Sequence, residues 1–213
     1  MSEVPVKVLV FVGTEGIYHD HEGQGRFLVG LLNKDPQIQA DFSQDYAIMT
    51  AGLGGYDATL FFTDVGNFSQ EQGQGLLEFI EGGGGFFGLH TADASFQDNA
   101  GYHQMLNGFF DGHSPYMDFK VEITDAADPI VAGLQDFEVR DELHYLKHDA
   151  SRSHPIMEAY DPGRDEKHVM AYRHAYGQGR VFFFALGHDQ AVLDNASFQE
   201  VVRRGALWVG KRL

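Results

Sequence analysis

The chain has no cysteine among its 213 residues. That excludes disulfides, cysteine-ligated zinc and a thiol nucleophile, and it fits a reducing compartment. Basic residues are scarce: 15 Lys and Arg stand against 31 Asp and Glu, a formal net charge of −16. No stretch of sequence gathers Lys or Arg into a stripe, which argues against nucleic acid or an anionic membrane surface as partner. No apolar run reaches the roughly 18 residues of a membrane span. The opening MSEVPVKVLVFVG carries one lysine and an apolar run too short for a signal h-region. The sequence therefore reads as a soluble cytoplasmic protein. Linkers rich in proline or serine are missing, as are internal repeats, so a single domain over residues 1–213 is the simplest account.

Several catalytic signatures are also lacking. The glycines at 82–85 do not have GxGxxG spacing and do not open a helix after a strand, so dinucleotide binding is not expected. No lysine follows a glycine loop in the manner of a nucleotide-binding P-loop. Ser95 does not lie in a G-x-S-x-G elbow. The H-E-x-x-H motif of zinc metalloproteases is absent.

What the sequence does have is glycine, with 26 residues, aromatic side chains at 13% and 11 histidines. Val6 to Gly13 is a continuous apolar run, as expected of a strand buried on both faces of a parallel sheet. Helical spacing follows from Gly25 to Lys34, and Pro36 stops it. Strands are expected at Ile38 to Phe42, around Thr59 to Phe62, and at Gly85 to Leu89. Ser69 is placed to cap a helix carrying Leu76, Leu77 and Ile80 on one face. This β-α-β alternation predicts a right-handed, mostly parallel, doubly wound α/β sheet. The second half reads as a short helix over Tyr102 to Phe110, then alternating runs at Asp118–Thr124, Phe137–Leu146, Ile156–Tyr160, Val169–Tyr176 and Arg180–Leu186. These predict antiparallel strands added to one edge, closed by an amphipathic helix over Ser197–Trp208.

In open α/β sheets the ligand crevice lies beyond the carboxyl ends of the strands. Polar residues expected there are His19 and His21 after the first strand, His90 after the GFFGL strand, and His188 with Asp189 after RVFFFAL. His113 sits in a glycine-flanked loop and Glu142 in DELHYL. His103, His154 and His168 read as inert surface residues, and His148 and His174 as solvent-facing or structural. Three chemistries would use the candidate set. Histidine and a carboxylate can move protons near neutral pH, with His90, Glu142 and His188 as the catalytic groups. Imidazoles of His19, His90, His113 and His188 can hold a divalent metal such as zinc. Aromatic faces such as Tyr172, with His19, His113 and Asp189 as polar partners, can bind a sugar. The HDH at residues 19–21, read as extended chain, puts two imidazoles on one side.

These pieces resemble the ThuA-like family, named for trehalose utilisation. The matching segments are YHD (18–20), GGGGFFGLHTA (82–92), FDGHSP (110–115), DPIVAGLQDFEVRDELHY (128–145), YGQGRVFFFALGH (176–188) and FQEVVRRGALWVG (198–210), spread over nearly the whole chain. Tyr172 stands where the family usually has tryptophan. The resemblance implies a flavodoxin-like, class I glutamine amidotransferase-like three-layer α/β sandwich. In true amidotransferases the residue at the tip of the fourth strand is a cysteine; here His90 takes that place, so glutamine hydrolysis through a thioester is excluded. What the resemblance implies instead is carbohydrate metabolism, on a small-molecule sugar or a keto-glycoside made by a partner dehydrogenase, with His19, His90, His113, Glu142 and His188 in the site. The aromatic content is compatible with a homo-oligomer.

Overall fold

The computed structural model describes residues 4–14 and 18–213. Residues 15–17 of the GTEGIYHDHEG loop, and residues 1–3, lie outside the described residues.

The apolar runs of the first half become strands Val6–Val12 (β1), Ile38–Ser43 (β2), Ala58–Phe62 (β3) and Gly85–Leu89 (β4). In β1, β3 and β4 every residue but Lys7 is buried, as expected for strands covered on both faces. Helices His21–Leu32 (α1), Ile48–Ala51 (α2) and Gln70–Glu81 (α3) lie between them. Ser69 caps α3 in a reciprocal capping box with Gln72, and Gly82 ends it. Asp20 caps α1 by accepting from Gly23 N–H, so the HDH segment is a helix start and not extended chain.

The second half holds helix Ala100–Leu106 (α4), strands Gly108–His113 (β5), Met117–Ile123 (β6), Phe137–Asp141 (β7), His144–His148 (β8), His154–Asp161 (β9), Glu166–Tyr176 (β10) and Gly179–Phe184 (β11), and helices Gln190–Leu193 (α5) and Ala196–Val209 (α6). Two expectations are corrected. The helix predicted over Tyr102–Phe110 stops at Leu106, because Asn107 turns left-handed (φ 60°) and sends Phe109 and Phe110 into β5. The single strand predicted over Phe137–Leu146 is two strands in different sheets. Side chains take the main-chain donors at the break: Asp141 accepts from Glu142 N–H at 2.7 Å, and Ser114 Oγ accepts from Leu143 N–H at 3.0 Å. With those donors occupied, the ladder cannot continue.

The main sheet has nine strands in the order β2-β1-β3-β4-β11-β10-β9-β6-β7. The first five are parallel, in the flavodoxin-like arrangement of strand order, and the last four are antiparallel additions at one edge. A separate two-stranded sheet pairs β5 with β8. α1 and α6 cover one face, while α2, α3 and α4 cover the other. At the amino end of β11 the backbones close up tightly. A Cβ on Gly179 would overlap the main-chain oxygens of Ile80 and Gly84, so only glycine fits there.

Candidate functional site

The site is built at the carboxyl ends of the strands, beside the point where the chain leaving β1 leads to β2 on one side and the chain leaving β3 leads to β4 on the other. His19 follows β1, Asp64 follows β3, His90 follows β4, Glu142 follows β7 and His188 follows β11. His113 closes β5.

His90 is fully buried and takes a left-handed conformation (φ 48°), a costly one for a side chain with a Cβ. Two features hold it there. Its Nδ1–H donates to Ala185 O at 2.7 Å, and Gly187 (φ 148°) leaves room, since a Cβ there would lie 2.9 Å from His90 Cβ. Burial, then the nearby His144 and His19, push the His90 imidazole well below its ordinary value. It is therefore neutral at pH 7, with its proton on Nδ1 and a lone pair on Nε2.

That lone pair faces His19 Nε2 at 3.2 Å. The same His19 nitrogen lies 3.2 Å from His188 Nδ1. The three nitrogens fall within 4.8 Å of one another. On its other side, His19 Nδ1 faces Asp64 Oδ2 at 3.6 Å, and both atoms are buried with no hydrogen-bond partner among the described residues.

Glu142 stands beside this cluster, with Oε2 3.3 Å from His188 Nδ1 and Oε1 3.6 Å from His113 Nδ1. Burial alone would raise its carboxyl; the hydrogen bond and charge of His188, with the charges of His113 and His144, reverse this and hold it below the usual range. The hydrogen bond to Glu142 correspondingly raises His188. Beneath them His144 stacks on His90 with ring centroids 4.4 Å apart, and its Nδ1 lies 3.0 Å from Asp93 Oδ2. Burial works against a proton on His144, but the charge of Asp93 wins and raises it. Asp141 is also buried. It accepts from Gly187 N–H at 2.9 Å and from Glu142 N–H, so it ties the β11 turn to the Glu142 turn. Burial pushes its carboxyl up to about 6 against those two hydrogen bonds.

His19, His113, His144, His188 and Glu142 line a pocket of about 370 Å³ walled also by Tyr18, Val65, Gln97 and Phe110, with His90 buried behind it. No lysine or arginine lines it among the described residues.

Five of the expected residues thus meet: His19, His90, His113, Glu142 and His188. Two do not serve as expected. Tyr172 is fully buried with its hydroxyl on Leu106 O, so it forms no wall of the pocket. Asp189 caps α5 with one oxygen and accepts from Tyr116 OH at 2.5 Å with the other; it holds Tyr116 beside His188, with ring centroids 5.3 Å apart. Sequence reasoning missed Asp64, Asp93, Asp141 and His144. Asp64 carried a signal like that of His90, a polar residue two steps past a buried strand where His90 stands one step past.

A family model described as ThuA, trehalose utilisation, matches residues 7–209. The chain belongs to the ThuA family. Among solved structures, a putative ThuA-like protein of Parabacteroides merdae superposes with a TM-score of 0.83 at 19% identity, covering 97% of this chain and 90% of that one. One from Bacteroides uniformis gives 0.77 at 16% identity, covering 97% and 94%. A cytoplasmic protein of Salmonella typhimurium gives 0.71 at 14% identity, covering 95% and 99%. These likenesses show the fold that ThuA proteins share, which is class I glutamine amidotransferase-like. Among curated proteins, no sequence match is found. No helix of the described residues is long and apolar enough to cross a membrane.

Proposed function

We propose that this ThuA protein is a cytoplasmic carbohydrate-processing enzyme that acts on glycosides, including keto-glycosides, by proton transfer through Glu142, with a divalent cation held by His19, His90 and His188. The observation that carries this reading is the meeting of three imidazole nitrogens, with His19 Nε2 3.2 Å from each of the other two and all three within 4.8 Å, beside a carboxylate at 3.3 Å. Zinc bonded to imidazole at about 2.0–2.1 Å in a tetrahedron sets ligand nitrogens roughly 3.3 Å apart. The surroundings fit as well: metal-bound histidines usually give their second N–H to a carbonyl or carboxylate, as His90 does to Ala185 and as Asp64 is placed to accept from His19. When bound, the cation would polarise a substrate oxygen as a Lewis acid.

The chain's own groups supply the rest. A keto group two carbons from the glycosidic carbon, as in a 3-keto-glycoside, acidifies the C–H between them, and loss of that proton expels the glycosidic oxygen as a double bond forms. Glu142, held ionised by its histidine neighbours, is the base that takes this proton, and in its protonated form it can return one to the departing glycosidic oxygen. No covalent nucleophile is needed. The family's description as trehalose utilisation supports a sugar substrate.

The test pairs metal content with turnover. Untagged protein is expected to retain about one zinc or manganese per chain after dialysis and to cleave members of a panel of glucosides and 3-keto-glucosides. His19→Ala is expected to lose the metal. Equal metal retention by His19→Ala, or no turnover of any panel member by metal-loaded protein, would overturn the proposal.

A further inference from the structure

A second cavity, of about 530 Å³, lies at the opposite end of the sheet. It is bordered by Arg180 at the start of β11, Arg173 on β10, His154 on β9, Trp208 on α6 and Arg152 in the β8–β9 turn. No Asp or Glu lines it among the described residues, although His154 pairs with Asp125 at 2.8 Å. In a chain of net charge −16 that is unusual, and no stretch of sequence announces it. The strand pairing assembles it: Arg173 pairs with His154 across β9–β10, and Ala175, two residues on, pairs with Arg180 across β10–β11. Those residues therefore share one face of the sheet.

The state of the guanidinium groups matters more than their number. Arg26, Arg140, Arg164, Arg203 and Arg204 each reach a side-chain carboxylate. Arg173 bonds the buried Asp128. Arg152 and Arg180, and outside the groove Arg212, reach no side-chain carboxylate among the described residues. Arg152 donates to Gln104 O at 3.1 Å, and Arg180 donates through Nη1 to Trp208 O at 2.8 Å and Leu213 O at 2.7 Å. Arg173 and Arg180 are also gathered on one ring, with guanidinium carbons 5.2 and 4.9 Å from the Trp208 ring centroid. Two positive groups held at one indole repel each other, and burial together with the Arg173 charge lowers Arg180. An incoming anion relieves that repulsion.

We infer that this groove is a binding site for a small phosphate-class oxyanion, gripped by Arg152 and Arg180 beside Arg173 over Trp208. Guanidinium forks match the oxygens of phosphate. The volume admits a phosphorylated monosaccharide as readily as free phosphate, while the chain's overall negative charge disfavours a long polyanion. The catalytic pocket has no guanidinium or ammonium side chain among its described lining residues. A phosphorylated metabolite would thus be sensed at one end of the sheet while a neutral sugar is processed at the other. The groove and its ligand do not depend on the function proposed for the catalytic pocket.

Trp208 is the only tryptophan, so its fluorescence reports on this groove alone. The full chain would be titrated with inorganic phosphate and, separately, with glucose 6-phosphate, against sodium chloride at equal ionic strength, with calorimetry in parallel. A saturable response beyond the chloride control is expected. Equal affinity for both ligands assigns recognition to the phosphate group; tighter glucose 6-phosphate binding shows that the groove also reads the sugar. Arg152→Gln, at an exposed turn, is expected to weaken binding about 10-fold or more, the effect of losing one charge-assisted hydrogen bond of about 1.5 kcal/mol. Absence of saturable binding by both methods, or unchanged affinity in folded Arg152→Gln, would overturn the inference.

Discussion

The two ends of strands β4 and β11 are built from one pair of parallel strands and do opposite work. At the amino end, backbone meets backbone: Gly179 lies against the oxygens of Ile80 and Gly84, and a Cβ on Gly85 would come within 2.5 Å of Val209 O. At the carboxyl end the same strands diverge into turns, and side chains meet instead. His90 and Gly187 pack together there, with His19, His188 and Glu142 above them. Register couples the ends, since Arg180 pairs with Gly85 and Phe184 with Leu89. Close packing at one end thus sets where His90 and His188 emerge at the other. The comparison teaches that substitutions should separate by end: loss of chemistry at the carboxyl end, loss of stability at the amino end.

The largest separation is expected at Glu142. Glu142→Gln keeps size and shape but removes the charge that His188 and His113 face. Turnover should fall roughly 10²- to 10⁴-fold while the fold stays intact. Steady-state kinetics beside a thermal melt would show it. Unchanged turnover would place the proton chemistry elsewhere.

Gly179→Val is the reverse case. The added carbons overlap main-chain oxygens that cannot rotate away, so a loss of about 3 kcal/mol is expected in urea unfolding. Turnover per folded molecule should be little changed. If it collapsed as well, the two ends would be mechanically one unit.

How much of this was legible differs by half of the sheet. β1, β3 and β4 could be read directly, because strands covered on both faces must be apolar throughout. His90 and His188 followed, since each stands just past such a run. The antiparallel half was harder. In FEVRDELHYL the alternation continues through Glu142 and Leu143, yet Asp141 and Ser114 divert the main-chain donors and split the strand. Ser114 is distant in sequence, so no local pattern discloses the break that exposes Glu142 to the pocket. Tyr172 misled for a related reason: an aromatic residue in a strand can face a pocket or the core, and its hydroxyl found Leu106 O inside the protein. The arginine groove was invisible because its members come from three strands, a turn and a helix.

A pH experiment sharpens the carboxyl end. Asp141 has a folded value of about 6 against 3.8 for the free side chain. Between those values the folded chain binds the proton more tightly than the unfolded chain. This contribution to stability is therefore fully present below about pH 3.8 and is lost as pH rises through 6. Asp141→Asn cannot titrate, so its stability relative to wild type should rise by up to about 2 kcal/mol between pH 4 and pH 7. The slope of that difference is the readout, because the amide also loses one of the two N–H bonds at every pH. A flat difference would mean that Asp141 ionises as freely as in water.

The smallest expected effect asks whether the carboxyl end is only chemistry. Ser69 begins α3 just past β3, at the same end of the sheet as the pocket, but it does not line it. Its hydroxyl accepts from Gln72 N–H at 3.2 Å, and the Gln72 side chain accepts from Ser69 N–H at 2.8 Å. Ser69→Ala removes one of this pair and should cost about 1 kcal/mol in urea unfolding. Turnover should stay at the wild-type level, because α3 is anchored by the burial of Leu76 and Ile80, and its cap is remote from Glu142 and His188. A fall in turnover comparable to that of Glu142→Gln would show that the pocket depends on the helix start, and the division of labour between the two ends would have to be drawn along the helices, not along the strands.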